Sequence, residues 1–145
     1  MRNTSLPPTA RSLPIALMRA RECVMAPIRE MLSESGLTEQ QWRVLRVLSE
    51  CGPLDGATLA ERASLLPPSL TRITQTMHGK GLIGLAPAPT DRRRQIVAIT
   101  AAGQQIITNN LPRAVEIAQS YRAKLGLERF ELLLDLLEDL HKAED

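Results

Sequence analysis

The run Pro67-Pro68-Ser69-Leu70-Thr71-Arg72 opens a helix that closes at Gly79-Lys80-Gly81, and Asp91-Arg92-Arg93-Arg94 follows between two β-prone runs. Read together, Leu59 to Thr100 form a helix-turn-helix followed by a β-hairpin with three arginines at its tip. Proline fits only the first turn of a helix, so this one starts close to Pro67. Leu70, Ile73 and Met77 recur at i, i+3 and i+7 and mark a core face. Ser69, Arg72, Gln75 and Thr76 fall largely on the other side. The hairpin strands are Leu82 to Ala86 and Gln95 to Ile99, and the polar, proline-rich segment between them fits a loop at a sheet edge. A polar helix suits a DNA major groove, and a cationic finger suits the groove beside it.

Upstream, Leu59, Ala60 and Ala63 suggest a short helix with small residues for close packing, joined to the next by the turn Ser64-Leu65-Leu66. Before it, Thr38 and Gln41 have the spacing of a capping box, and Trp42, Leu45 and Leu48, with Val44 and Val47 beside them, form the apolar face of a helix that ends at Gly52-Pro53. A first helix spans about Leu13 to Ser35 through Leu17, Met18, Met25, Ile28, Met31 and Leu32. Pro27 should kink or split it, and Gly36 stands where a C-cap is expected. Residues 1–10 read as a mobile arm. Downstream, Thr100 is a plausible N-cap for a helix from Ala101 to about Leu125, which Pro112 can kink, and Gly126 permits a turn. The last helix carries two stripes: Phe130, Leu133, Leu134 and Leu137, and beside them Leu132, Leu136 and Leu140. One stripe packs a helix on its own domain. Two point to a second copy of the chain, or else to a helix buried within one chain.

With 145 residues and 43% hydrophobic content, the chain suits one compact domain, or a small domain plus dimerisation helices. Aromatics are only 2%, which argues against single-strand binders that stack bases on aromatic platforms. The net charge of +2 hides an asymmetry: Gly126 to Asp145 carry −5 and the rest of the chain +7. The basic part should face DNA and the acidic end point away. Cys23 and Cys51 make no C-x-x-C pair or disulfide framework, prolines and arginine interrupt any signal peptide, and no segment reaches membrane-spanning length. The simplest address is a reducing cytoplasm, with no membrane partner.

For DNA, Arg72 can pair with guanine, Gln75 with adenine, and the hydroxyls of Ser69 and Thr71 with bases or phosphates. A solvated amphipathic helix is the plainer account of that face. The three arginines repel one another and gain little from packing, and arginine suits a narrow minor groove; Asp91 could pair with one of them and hold the loop. Trp42 and Arg46, at i and i+4, would suit an aromatic carboxylate, with Met18 and Arg21 as an opposing wall. Alternatively, Trp42 is core and Arg46 pairs with Glu50. His78 and His141 lack neighbours at metal-ligand spacing, and there is no phosphate loop, nucleophile elbow or catalytic pairing. No enzyme, metal or cofactor is implied. A winged-helix module that binds protein is a further possibility.

Residues 37 to 103 resemble the winged helix-turn-helix of the MarR family of bacterial transcription regulators. The likeness rests on the order of Leu37-Thr38 before Trp42, Leu59-Ala60, Ser69-Leu70-Thr71-Arg72, Gly81-Leu82-Ile83, Asp91-Arg92-Arg93, and Ile99-Thr100 with Gly103. It implies a mainly α fold with a small β-hairpin: an arm and dimerisation helix over 1–36, the winged helix-turn-helix over 37–100, and C-terminal dimerisation helices over 101–145. It also implies a homodimer on a near-palindromic double-stranded operator, with the helix from Pro67 in the major groove and Arg93 in the minor groove. Ser69, Thr71, Arg72, Gln75, Thr76 and Asp91 to Arg94 would form the DNA surface. Gly84-Leu85 departs from the pattern, since many members place basic residues there. The N-terminal pattern Leu13-Pro14-Ile15-Ala16-Leu17 with Met25-Ala26-Pro27-Ile28-Arg29 looks most like the branch that regulates homoprotocatechuate (3,4-dihydroxyphenylacetate) degradation operons. The resemblance thus implies a repressor of a homoprotocatechuate or 4-hydroxyphenylacetate operon, released by a phenolic carboxylate. Related phenolic-acid sites use positions matching Gln40, Trp42 and Arg46, so the effector set is Met18, Arg21, Gln40, Trp42 and Arg46. The rival within the family is a cysteine-based redox sensor. Peroxide-sensing members place the thiol near the start of the first helix, where this chain has Leu13-Pro14, so Cys23 and Cys51 read as buried, inert thiols.

Overall fold

Capping sets where each element begins. In the computed structural model, which describes residues 5–142, a short 3-10 turn at Thr9–Arg11 precedes α1 (Leu13–Leu32), α2 (Glu39–Cys51), β1 (Leu54–Asp55), α3 (Gly56–Arg62), α4 (Pro67–Gly79), β2 (Ile83–Pro87), β3 (Gln95–Ile99), α5 (Ala101–Leu125) and α6 (Leu127–Lys142). The first residues of the arm and the last of the acidic end lie outside the described residues. Thr38 and Gln41 form the capping box: the Gln41 amide donates to Thr38 Oγ1 at 3.2 Å and the Thr38 amide to Gln41 Oε1 at 3.1 Å. Gly52 ends α2 at φ 77°, a conformation that suits glycine. Thr100 caps α5, accepting from the Gly103 amide at 3.1 Å while its hydroxyl donates to the Gly81 carbonyl at 2.7 Å.

The chain divides into two compact units between Thr108 and Asn109. The core of the first is built by Val44, Leu45 and Leu48 of α2, Leu59 and Ala60 of α3, Leu70 and Met77 of α4, and Ile83 and Val97 of the sheet, all buried. Ile73 is only half-buried, and Thr74 takes the buried place beside Leu70. Gly103 closes this core. A methyl group there would collide with the Leu82 carbonyl and lie 2.9 Å from Ile99 and 3.2 Å from Leu45. In the second unit, Gly126 turns the chain at φ 82° and the Arg122 guanidinium lies 5.5 Å from the centre of the Phe130 ring.

The sheet is antiparallel, in the order β1-β3-β2. The two-stranded hairpin expected from the sequence thus gains a third strand, where Leu54 pairs with Val97 and Asp55 with Ile96. The fold is mainly helical, a winged helix-turn-helix with further helices before and after it.

α1 ends earlier than expected. Ser33 turns both its amide and its hydroxyl onto the Glu30 carbonyl, at 3.2 and 2.7 Å, which tightens the final turn. Pro27 does not split the helix. Its missing N–H frees only the carbonyl one turn back, at exposed Cys23, where water can serve it. Pro112 likewise lies inside an unbroken α5, and the boundary between the units falls at Thr108, the residue whose carbonyl it leaves without a helical donor.

Candidate nucleic-acid interface

The outer face of α4 presents Thr71, Arg72, Gln75 and Thr76, all exposed, with Ser69 half-buried at its edge. Two of these side chains are already engaged. Thr71 Oγ1 donates to the Pro67 carbonyl and Thr76 Oγ1 to the Arg72 carbonyl, each at 3.1 Å. Each threonine therefore offers a methyl group and an acceptor oxygen outward, the chemistry that meets a thymine methyl or a base amino group. The Arg72 guanidinium and the Gln75 amide supply the donors.

A groove of about 320 Å³ opens beside this face. Gln40 and Gln41 line it from α2, Thr38 from the cap before it, and Ser69, Arg72, Ile73 and Thr76 from α4, with Leu65 from the turn. The structure thus brings Gln40 together with the expected DNA residues.

The wing loop is closed by its own backbone. Ala88, buried, donates to the Arg94 carbonyl at 2.7 Å, and the Arg94 amide donates to the Asp91 carbonyl at 3.1 Å. Asp91 does hold the loop, through the Arg93 amide on its Oδ1 at 2.9 Å, and not through an arginine side chain. An Asx-type bond to the backbone two residues on is the geometrically local solution, and it leaves the guanidinium groups outside the turn. The tip is not a uniform trio. Arg94 turns to Asp55, with Nη2 at 3.1 Å from Oδ2, while Arg92 and Arg93 are exposed and make no ion pair among the described residues.

Asp55 is absent from the set of residues expected from the sequence. It caps α3, accepting from the Thr58 amide at 2.8 Å and the Thr58 hydroxyl at 3.1 Å. The Thr58 amide is the main reason its carboxyl sits below the ordinary aspartate value; partial burial opposes this, and the Thr58 hydroxyl and Arg94 assist. The Asp55-Gly56-Ala57-Thr58 spacing carries a cap signal; the Arg94 contact has no local signature. Glu39 and Arg43 are likewise absent from that set. Arg21 and Arg43 both pair with Glu39, whose side chain is 13% exposed.

The expected effector residues differ in exposure and in partners. Trp42 is 7% exposed and belongs to the core, whereas Arg46, one turn on, is exposed. Met18 is exposed on α1, and Arg21 is committed to Glu39. The groove beside α4 takes in Gln40 alone of the five. The thiols are not both buried as expected. Cys23 is exposed, as is Val24 beside it, and Cys51 is half-buried and accepts from Arg62 Nη1 at 3.1 Å.

Residues 37–94 match the MarR family. The HTH-type transcriptional regulator FarR of Neisseria gonorrhoeae is 37% identical, over 92% of this chain and 92% of that protein. The homoprotocatechuate degradative operon repressor of Escherichia coli is 36% identical, over 88% of this chain and 86% of that protein. The crystal structure of NadR in complex with 4-hydroxyphenylacetate aligns at a TM-score of 0.81 and 35% identity, over 98% of this chain and 99% of that one. The first two are named as a transcriptional regulator and an operon repressor.

Proposed function

The chain belongs to the MarR family of transcription regulators, and from that premise we propose that it is a homodimeric repressor of an aromatic-acid catabolic operon, released from a near-palindromic operator by a phenolic carboxylate. One observation carries the DNA half of this reading. Arg72, Arg92 and Arg93 project from α4 and the wing as exposed cations without acidic partners among the described residues. They supply phosphate and minor-groove affinity, while Ser69, Thr71, Gln75 and Thr76 supply sequence preference. In this reading the winged helix-turn-helix spans 37–100, and the helices within 1–36 and 101–145 pair two copies, so that two α4 helices meet half-sites about 34 Å apart.

The effector half leans on the relatives: one is named a homoprotocatechuate degradative operon repressor, and another was crystallised with 4-hydroxyphenylacetate. In this chain Arg46 would pair with the acid and Trp42 would stack on the ring, with Met18 and Arg21 as an opposing wall and Gln40 beside them. Such an acid relieves repression only by binding the dimer better in a spacing that DNA does not accept. The protein would act in the cytoplasm, where its operator is.

Fluorescence anisotropy on the chain's own upstream promoter fragment, against a scrambled duplex, tests both halves. Promoter-selective binding released by 3,4-dihydroxyphenylacetate or 4-hydroxyphenylacetate is the expected result. Selective binding indifferent to both acids removes the effector, and absence of binding at low salt removes the DNA reading. Replacing Arg92 and Arg93 by Gln should lower the salt slope by about 2, one for each phosphate that is no longer neutralised. The exposed thiol of Cys23 favours one rival, a redox-sensing repressor. Release of the promoter by hydrogen peroxide in the wild type but not in Cys23→Ser would select it.

A further inference from the structure

The turn that delivers α4 is the least self-sufficient part of the DNA-facing surface. Ser64 is the one non-glycine residue with positive φ among the described residues, at 53°. A side chain in that region costs energy and persists only where its surroundings hold it. The helix it leads into cannot hold it. Leu66 at the N-cap offers no side-chain hydrogen bond, and Pro67 and Pro68 have no N–H to anchor. Two backbone bonds tie the turn to α3, from Ser64 to the Glu61 carbonyl at 3.2 Å and from Leu65 to the Ala60 carbonyl at 2.8 Å. A further hold comes from outside the helix-turn-helix: Arg43 of α2 donates through Nη1 to the Ser64 carbonyl at 3.4 Å.

Arg43 is set up for that reach. Its Nη2 lies 3.8 Å from Glu39 Oε1, one turn back, and the same oxygen takes Arg21 of α1 at 2.5 Å. Its Nε is buried and has no hydrogen-bond partner among the described residues. An unpaired buried donor is a cost, and it is accepted here in a guanidinium whose other two nitrogens bridge Glu39 and the turn. Lysine carries its donors on a single nitrogen and lacks the planar fork that spans the two.

We infer that Arg43 is a positioning residue for DNA recognition: it holds the Ser64 turn, and hence the start of α4, in a place set by α1 through Arg21 and Glu39. This inference rests on the DNA-binding reading above and adds to it a route by which a displacement of α1 reaches α4 without passing through the wing. Arg43 itself need not touch DNA.

The test uses the full chain without effector, and reads promoter affinity beside hydrogen exchange of the segment 60–66. Arg43→Lys, checked for folding by circular dichroism, should bind the promoter about tenfold more weakly, or about 1.4 kcal/mol. It should also exchange faster at Ser64 and Leu65 while the amides of α2 stay protected. A merely structural role would lower the melting temperature and leave the affinity of the folded protein and the local exchange unchanged. Glu39→Gln serves if Arg43→Lys does not fold, with the same two changes expected at smaller size. The losses from Arg21→Gln and Arg43→Lys should also be less than additive, because both act through Glu39. Wild-type affinity and unchanged exchange in either variant would overturn the inference. If the wild type fails to select its promoter, the DNA reading fails on its own, and the exchange comparison still decides whether Arg43 holds the turn.

Discussion

In α2 and α3, Leu45, Leu48 and Leu59 are at most 1% exposed, whereas in α6 the leucines at 132, 133, 134, 136, 137 and 140 are each between 39% and 55% exposed. Both regions are amphipathic helices with similar spacing of apolar residues. In the first, α4 and the sheet cover the stripe. In the second, no α6 residue among those described is buried. Periodicity therefore tells which residues seek cover but not what provides it. Covering a leucine contributes about 1.5–3 kcal/mol, so a helix that leaves six of them half in water has a strong drive to find a partner surface. The two-stripe pattern of α6 fits a second copy, as proposed above.

The largest effect should come from the covered region. Leu45→Ala removes a fully buried side chain from between α2 and Gly103, and should lower unfolding stability by about 2–5 kcal/mol in urea titrations. A change below about 0.5 kcal/mol would mean that this core relaxes around cavities and is no better packed than α6. Next comes the uncovered region. Leu133→Asp with Leu137→Asp should leave far-ultraviolet circular dichroism nearly unchanged, halve the mass in sedimentation equilibrium, and weaken promoter binding at least tenfold, since one half-site then binds alone. An unchanged mass would break the comparison, because the exposed stripe would then have no bearing on assembly.

The smallest effect belongs to the wing's mooring. The Asp55 carboxyl is held below its ordinary value of 3.8, chiefly by the Thr58 amide. A depressed carboxylate adds stability that is fully present above its unfolded value and is lost as pH falls through the lower folded value. Asp55→Asn should therefore melt below the wild type at neutral pH, with the gap closing as pH falls below about 4. A gap that stays constant over that range would mean that the charge is irrelevant and only the cap's hydrogen bond matters.

Much of this is readable from local rules. Thr38 with Gln41, Pro67 at the start of α4, Thr100 before α5 and the glycines at 52 and 126 each act within one turn of themselves, and each lies where those rules place it. What such rules miss depends on residues distant along the chain. β1 has two residues, too few to show any period, and is a strand only because β3 lies beside it. By sequence Arg94 is like its two neighbours in the tip, and only Asp55 sets it apart. Trp42 and Arg46 are one turn apart, yet the edge of the core passes between them, so helical spacing alone cannot make them a shared wall. For the proposed DNA face, α4's exposed residues are legible from their period, and the engagement of the Thr71 and Thr76 hydroxyls with helix carbonyls is not.

Gly103 has a bearing on engineering. Wings are natural parts to exchange between regulators, because the loop carries cations and the strands look self-contained. Here the hairpin's entrance, at the Leu82 carbonyl, and its exit, at Ile99, both press on the bare backbone of Gly103, with Leu45 behind it. A transplanted hairpin cut at Thr100 would leave behind the surface that its own ends were shaped against. The exchangeable unit instead runs from Gly81 through Gly103, cap and glycine included, and the residue at position 45 must be chosen together with it.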